Sequence, residues 1–135
     1  MDVEKAEIMP VRTTEDVVVI RQAVRKLAVE LGFSLVEQTK VVTAASELAR
    51  NAVIHGGGGT VRMEALRDMR RAGLRLCFED QGPGIPDISR AMQDGFTTGS
   101  GLGLGLSGAR RLSNEFEISS TVGQGTKVVI TRWKS

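Results

Sequence analysis

The chain predicts an α+β fold, a two-layer sandwich whose mixed, mostly antiparallel sheet carries its helices on one face. Three observations predict it. Two long stretches near the start repeat their apolar residues every three or four positions, the period of an amphipathic helix. Four later stretches alternate with a period of two and pair off around short turns, as hairpins do. The order runs helices, hairpin, a loop-rich segment with a helix, then hairpin, without the regular strand–helix alternation of a parallel α/β sheet.

"AEIMPVR" reads as a short edge strand, because Pro10 has no N–H to give a second neighbour. From Thr14, residues Val17, Ile20, Val24, Leu27 and Leu31 mark the first helix, with Glu15 and Asp16 in its first turn and Gly32 at its end. Ser34-x-x-Glu37 opens the second as a capping box, and this helix stops in the glycine run from Gly56 to Gly59. Val61, Met63 and Ala65, then Leu74, Leu76 and Phe78, form the first hairpin around a basic turn. A short helix is expected near Gly103, and "EFEISSTV", "GQG" and "TKVVITRW" give the second hairpin. The 135 residues predict a single domain spanning 1–135, without repeats or an interdomain linker.

Composition narrows the function. A net charge of +2 is too small to make nucleic acid the main partner, and Arg67, Arg70, Arg71 and Arg75 read as a solvated turn. Cys77 is the single cysteine, which excludes an internal disulfide, and its apolar surroundings predict a small buried hydrophobe. No stretch is apolar enough to span a bilayer and the N-terminus lacks a signal-peptide core, so no membrane partner and a cytoplasmic location are expected.

Several residues look misplaced for a plain core. Asp80 ends the run Leu74, Leu76, Phe78 and by alternation points to their side, where an unpaired carboxylate costs several kcal/mol by order of magnitude. It either closes the rigid turn "QGPGIPD" that follows or receives a donor from a ligand. Thr126 shares a face with Val128 and Ile130 at the other end of the sheet. Glu47 and Asn51 lie one turn apart on the second helix, in a stripe with Lys40 and Thr43 and opposite the apolar Val41, Ala45, Leu48 and Ala52. Such a pair is either a solvated face or a base and a cation ligand, since an amide oxygen suits Mg²⁺ and a carboxylate takes a proton. His55, the single histidine, reads as a helix C-terminal residue.

"GSGLGLGLSGARRL" contains G-x-G-x-x-G at Gly103, Gly105 and Gly108, but no strand feeds it, so it is not a dinucleotide fingerprint. No lysine follows its glycines as in a P-loop. It remains either a hinge pegged by Leu102, Leu104 and Leu106, or a glycine-rich approach to a helix N-terminus suited to phosphate.

In chain order, "ELARNA", "DQGPGI", "GSGLGLGL" and "GQGT" resemble the ATP-binding boxes of the GHKL superfamily, shared by Hsp90, gyrase-type topoisomerases and histidine kinases. Within it, "ELARN", "EDQGPGIPDI", "DGFTT", "GLGLGLSGARRL", "NEF" and a terminal Trp133 make the chain similar to the anti-sigma-factor and switch-kinase branch, in particular to RsbT-type serine kinases of stressosome pathways. The resemblance implies a Bergerat-type ATP-binding fold with ATP and Mg²⁺ as cofactors. It implies Glu47 as catalytic base and Asn51 as the metal ligand. It also implies that Asp80 takes the adenine amino group, with Gly82 and Gly84 leaving room for the purine and Thr126 supporting it. Gly99, Ser100, Gly101, Leu102, Gly103, Leu104 and Gly105 would wrap the phosphates under a lid from about Pro86 to Ser100. The implied activity is protein serine/threonine phosphorylation of a STAS-domain partner, with a PP2C-type phosphatase or similar regulator downstream. An anti-sigma factor that sequesters a sigma factor is the alternative.

Overall fold

Both long helices begin on reciprocal hydrogen bonds that satisfy N–H groups with no partner inside the helix. At α1 (Thr14–Glu30) the Asp16 N–H donates to the Thr13 hydroxyl at 3.1 Å, and the Thr13 N–H donates to the Asp16 carboxylate at 3.2 Å. At α2 (Leu35–Ile54) Ser34 and Glu37 repeat the arrangement at 3.2 and 3.0 Å, as the Ser34-x-x-Glu37 spacing predicts. Asp16 thus closes a box as well as facing the helix dipole. Gly32, at φ +82°, turns the chain between the two helices, a conformation side chains resist.

The computed structural model describes residues 1–93 and 104–135. After the helices come β2 (Gly59–Asp68), β3 (Arg71–Asp80), the short α3 (Ile88–Ala91), α4 (Leu104–Arg111), β4 (Glu115–Thr121) and β5 (Gly125–Trp133), with β1 (Asp2–Val11) at the start. The five strands run in the order β1-β2-β3-β5-β4. Every neighbouring pair is antiparallel, where a partly mixed sheet was expected. Between β1 and β2 the chain returns through α1 and α2, so that β2 starts opposite the end of β1 with Val11 facing Gly59. β1 is an edge strand, as Pro10 requires, but longer than "AEIMPVR" because its charged first half pairs too.

Alternation sorts the sheet into two faces. Val61, Met63, Leu74, Leu76, Phe78, Val128 and Ile130 point inward and are buried in one core with Ile20, Val24 and Leu27 of α1 and Val41, Ala45, Leu48 and Ala52 of α2. The opposite face is polar. There Glu64 sits between Arg75 at 2.6 Å and Arg62 at 3.1 Å, and the Arg75 hydrogen bond holds its carboxyl below the usual range. Arg67 and Arg71 pair with Glu4 and Asp68, which fits a solvated basic turn.

Cys77 departs from expectation. It lies half-buried on the polar face, because residue 77 is out of phase with Leu76 and Phe78. Burial pushes its thiol up, which leaves little thiolate to react. Trp133 is also on this face yet only 8% exposed. Its ring covers Gly73, Arg71 stacks 4.0 Å from the ring centre, and its indole N–H donates to Glu115 at 2.6 Å. Beyond β5, the N–H and hydroxyl of Ser135 both donate to Glu37 at 2.8 Å. Among the described residues no helix is long and apolar enough to cross a membrane.

Candidate functional site

Five parts of the chain line a cavity of about 150 Å³. The second half of α2 contributes Leu48, Asn51, Ala52 and His55, and the end of β3 contributes Phe78 and Asp80. The following loop adds Pro83, Gly84 and Ile85, α4 adds Leu106, and the start of β5 adds Thr126 and Val128. Most of this wall is apolar, and a void of this size accepts one flat aromatic ring. The few polar groups are therefore the ones that orient a ligand.

Asp80 closes the turn that follows it and still lines the cavity. One carboxylate oxygen accepts from the Gly82 N–H at 2.9 Å and closes the turn. Its other oxygen has no donor among the described residues and lies against Gly56. Glycine is required there, because a methyl group on Gly56 would fall on that carboxylate. Gly82 in turn approaches the Gly56 backbone, and a methyl group at Gly84 would meet the Thr121 carbonyl at 2.5 Å. These loop glycines thus admit backbone-to-backbone contact beside the cavity. Thr126 stands directly across from Asp80, as its cross-strand partner.

At the α4 side, Glu47 and Asn51 meet Gly105. A methyl group at position 105 would lie 3.0 Å from the Glu47 carboxylate and 3.2 Å from the Asn51 amide nitrogen, so the two helices approach this closely only with glycine there. That amide nitrogen is buried and has no hydrogen-bond partner among the described residues. A buried unpaired amide is costly. Oxygen and nitrogen of the amide are interchangeable by a flip, so either atom can face the incoming group. Glu47 is 36% exposed at its side chain and is held by Arg50 at 3.3 Å. His55 caps the C-terminus of α2 through its N–H to the Asn51 carbonyl and lines the cavity.

The structure therefore brings Asn51, Asp80, Gly84 and Thr126 to one cavity, with Gly82 in the adjoining turn and Glu47 and Gly105 beside Asn51. Leu106 is buried as a peg. Gly99, Ser100, Gly101, Leu102 and Gly103 lie outside the described residues, as does the part of the expected lid beyond residue 93. Leu104 opens α4. Three residues escaped the sequence reading. Arg50 is the one with a visible signal, its spacing from Glu47. Gly56 was hidden in a run read only as a helix stop, and Ser120 in a strand of ordinary alternation.

Fold and cavity together define a class. The histidine kinase-, DNA gyrase B- and HSP90-like ATPase family matches residues 36–134, a span that includes Glu47, Asn51, Asp80 and Thr126, and the chain belongs to this family. Among particular proteins, it is 46% identical over 123 residues to the serine/threonine-protein kinase RsbT of Bacillus subtilis (strain 168), covering 91% of this chain and 92% of that one. It is 32% identical over 118 residues to the anti-sigma F factor of Thermoanaerobacter sp. (strain X514), covering 84% and 82%. The catalytic domain of the histidine kinase ThkA, solved nucleotide-free, shares the fold with a TM-score of 0.52 at 15% identity, over 95% of this chain and 97% of that one.

Proposed function

We propose that this chain, as a single domain, is a Mg²⁺- and ATP-dependent protein serine/threonine kinase that acts as a partner switch. Its substrate is a hydroxyl on a STAS-domain protein, and its release from that protein engages a downstream regulator such as a PP2C-type phosphatase. The observation that carries the reading is the buried, unpartnered Asn51 amide beside Glu47, on the cavity that holds Asp80. The relationship to a serine/threonine-protein kinase supports the same class.

In this reading Asp80 and Thr126 hold the base between the apolar walls. Asn51 would be the protein ligand of Mg²⁺. The ion would supply charge neutralisation on the phosphates. Gly105, in the first turn of α4 beside Asn51, is the described part of the segment that would wrap the phosphates. Glu47 takes the proton of the acceptor hydroxyl as its oxygen attacks the terminal phosphorus and ADP leaves. Its partial exposure gives a protein substrate access, and positioning with charge stabilisation carries most of the rate.

Incubation of the pure protein with labelled ATP and the STAS protein encoded nearest to it tests this directly. Label should pass to the partner. Glu47→Ala should keep nucleotide binding and abolish transfer, while Asp80→Asn should weaken ATP binding first. Undiminished transfer by Glu47→Ala removes the base assignment. A second reading, sequestration of a sigma factor under ATP control, is favoured by the relationship to an anti-sigma F factor. Stable capture of a purified sigma factor, without phosphorylation of the STAS protein, would select it.

A further inference from the structure

We propose that Ser120 is a positioning residue that determines base specificity, by holding the Thr126 hydroxyl as a hydrogen-bond acceptor toward the cavity; this rests on the nucleotide reading above. Asp80, Thr126 and Ser120 form one cross-strand row over β3, β5 and β4. The Ser120 oxygen makes three contacts. It accepts from the Ile85 N–H at 2.8 Å, and it lies 3.0 Å from the Gly125 carbonyl and 2.8 Å from the Thr126 hydroxyl.

A hydroxyl has one proton and two lone pairs, and a carbonyl only accepts. All three contacts are satisfied together in a single assignment. Ser120 donates to Gly125, and Thr126 donates to Ser120. Thr126 then shows only lone pairs to the cavity. Beside it stands the free oxygen of Asp80, which as a carboxylate also only accepts. Asp80 and Thr126 thus offer the cavity acceptors only. The pair matches an exocyclic amino group, which donates. It mismatches a purine that carries a carbonyl in place of the amino group. Adenine is accepted and hypoxanthine refused, and Ser120 enforces the difference without touching the base.

The same oxygen anchors the loop through Ile85, so loss of Ser120 has a structural effect as well. The ratio of two affinities separates the roles, because a looser loop weakens both nucleotides alike. Binding of ATP and of inosine triphosphate to the full chain, with Mg²⁺, would be measured by calorimetry. Wild type should prefer ATP. Ser120→Ala frees the Thr126 proton to donate to the carbonyl, and should narrow the ATP-to-inosine-triphosphate ratio by about tenfold, the scale of one hydrogen bond. Ser120→Thr, which keeps the hydroxyl, should restore the ratio. Thr126→Val should weaken ATP, and Ser120→Ala added to it should bring no gain for inosine triphosphate. An unchanged ratio in Ser120→Ala, including an equal loss of both nucleotides, overturns the proposal while leaving the nucleotide site in place. Failure of wild type to bind either nucleotide overturns the site itself.

Discussion

Asn51 costs the fold stability, because its amide is buried without a partner among the described residues and such a group carries a penalty of about 1–3 kcal/mol. Asn51→Ala removes the group and improves helix propensity by roughly half a kcal/mol. We expect a melting temperature equal to or above wild type without nucleotide, and loss of the stabilisation that Mg·ATP brings to wild type. A lower melting temperature with the nucleotide shift intact would contradict this. At this scale the sequence was informative wherever a local period decides the outcome. Asp80 could be placed inward by counting along β3, and Glu47 with Asn51 by the helical turn. Ser120 could not, since its meaning arises from a contact with Ile85 that spans 35 residues. Cys77 belongs to an apolar run by composition, but its phase along β3 puts it on the polar face.

Between elements, the join of β3 to β5 depends on one glycine. A methyl group on Gly73 would lie 2.5 Å from the nearest ring atom of Trp133, so the ring or one of the strands must move. Overpacking of this kind costs about 1–3 kcal/mol, and Gly73→Ala should lower the urea midpoint accordingly. An unchanged midpoint would mean that the ring yields freely. No pattern in the sequence couples position 73 to position 133, because register across a sheet is settled by the other strands. The length of β1 was obscured for a related reason. Its charged first half carries no apolar alternation, yet it pairs with β2 through its backbone.

For the molecule as a whole, Glu37 ties the start of α2 to the end of β5. It is 6% exposed, and burial alone would push its carboxyl up. The N–H and O–H donors of Ser135 and Ser34 outweigh that and hold it down at about 2, from an ordinary 4.5. A depressed carboxyl stabilises the fold above its unfolded value and loses that contribution as pH falls. Glu37→Gln should therefore cost about 1–3 kcal/mol near neutral pH, the worth of hydrogen bonds to a charged group. The deficit should shrink as pH falls from 4.5 toward 2, which urea unfolding over a pH series would follow. A constant deficit across that range would contradict the assignment. Trp133 has an optical consequence. The chain contains one tryptophan and no tyrosine, and that single indole lies on the face of the sheet turned away from the cavity. A ligand in the cavity cannot quench it by contact. Any change of emission on adding nucleotide therefore reports movement transmitted through β3 and β5, which makes the protein its own strain gauge.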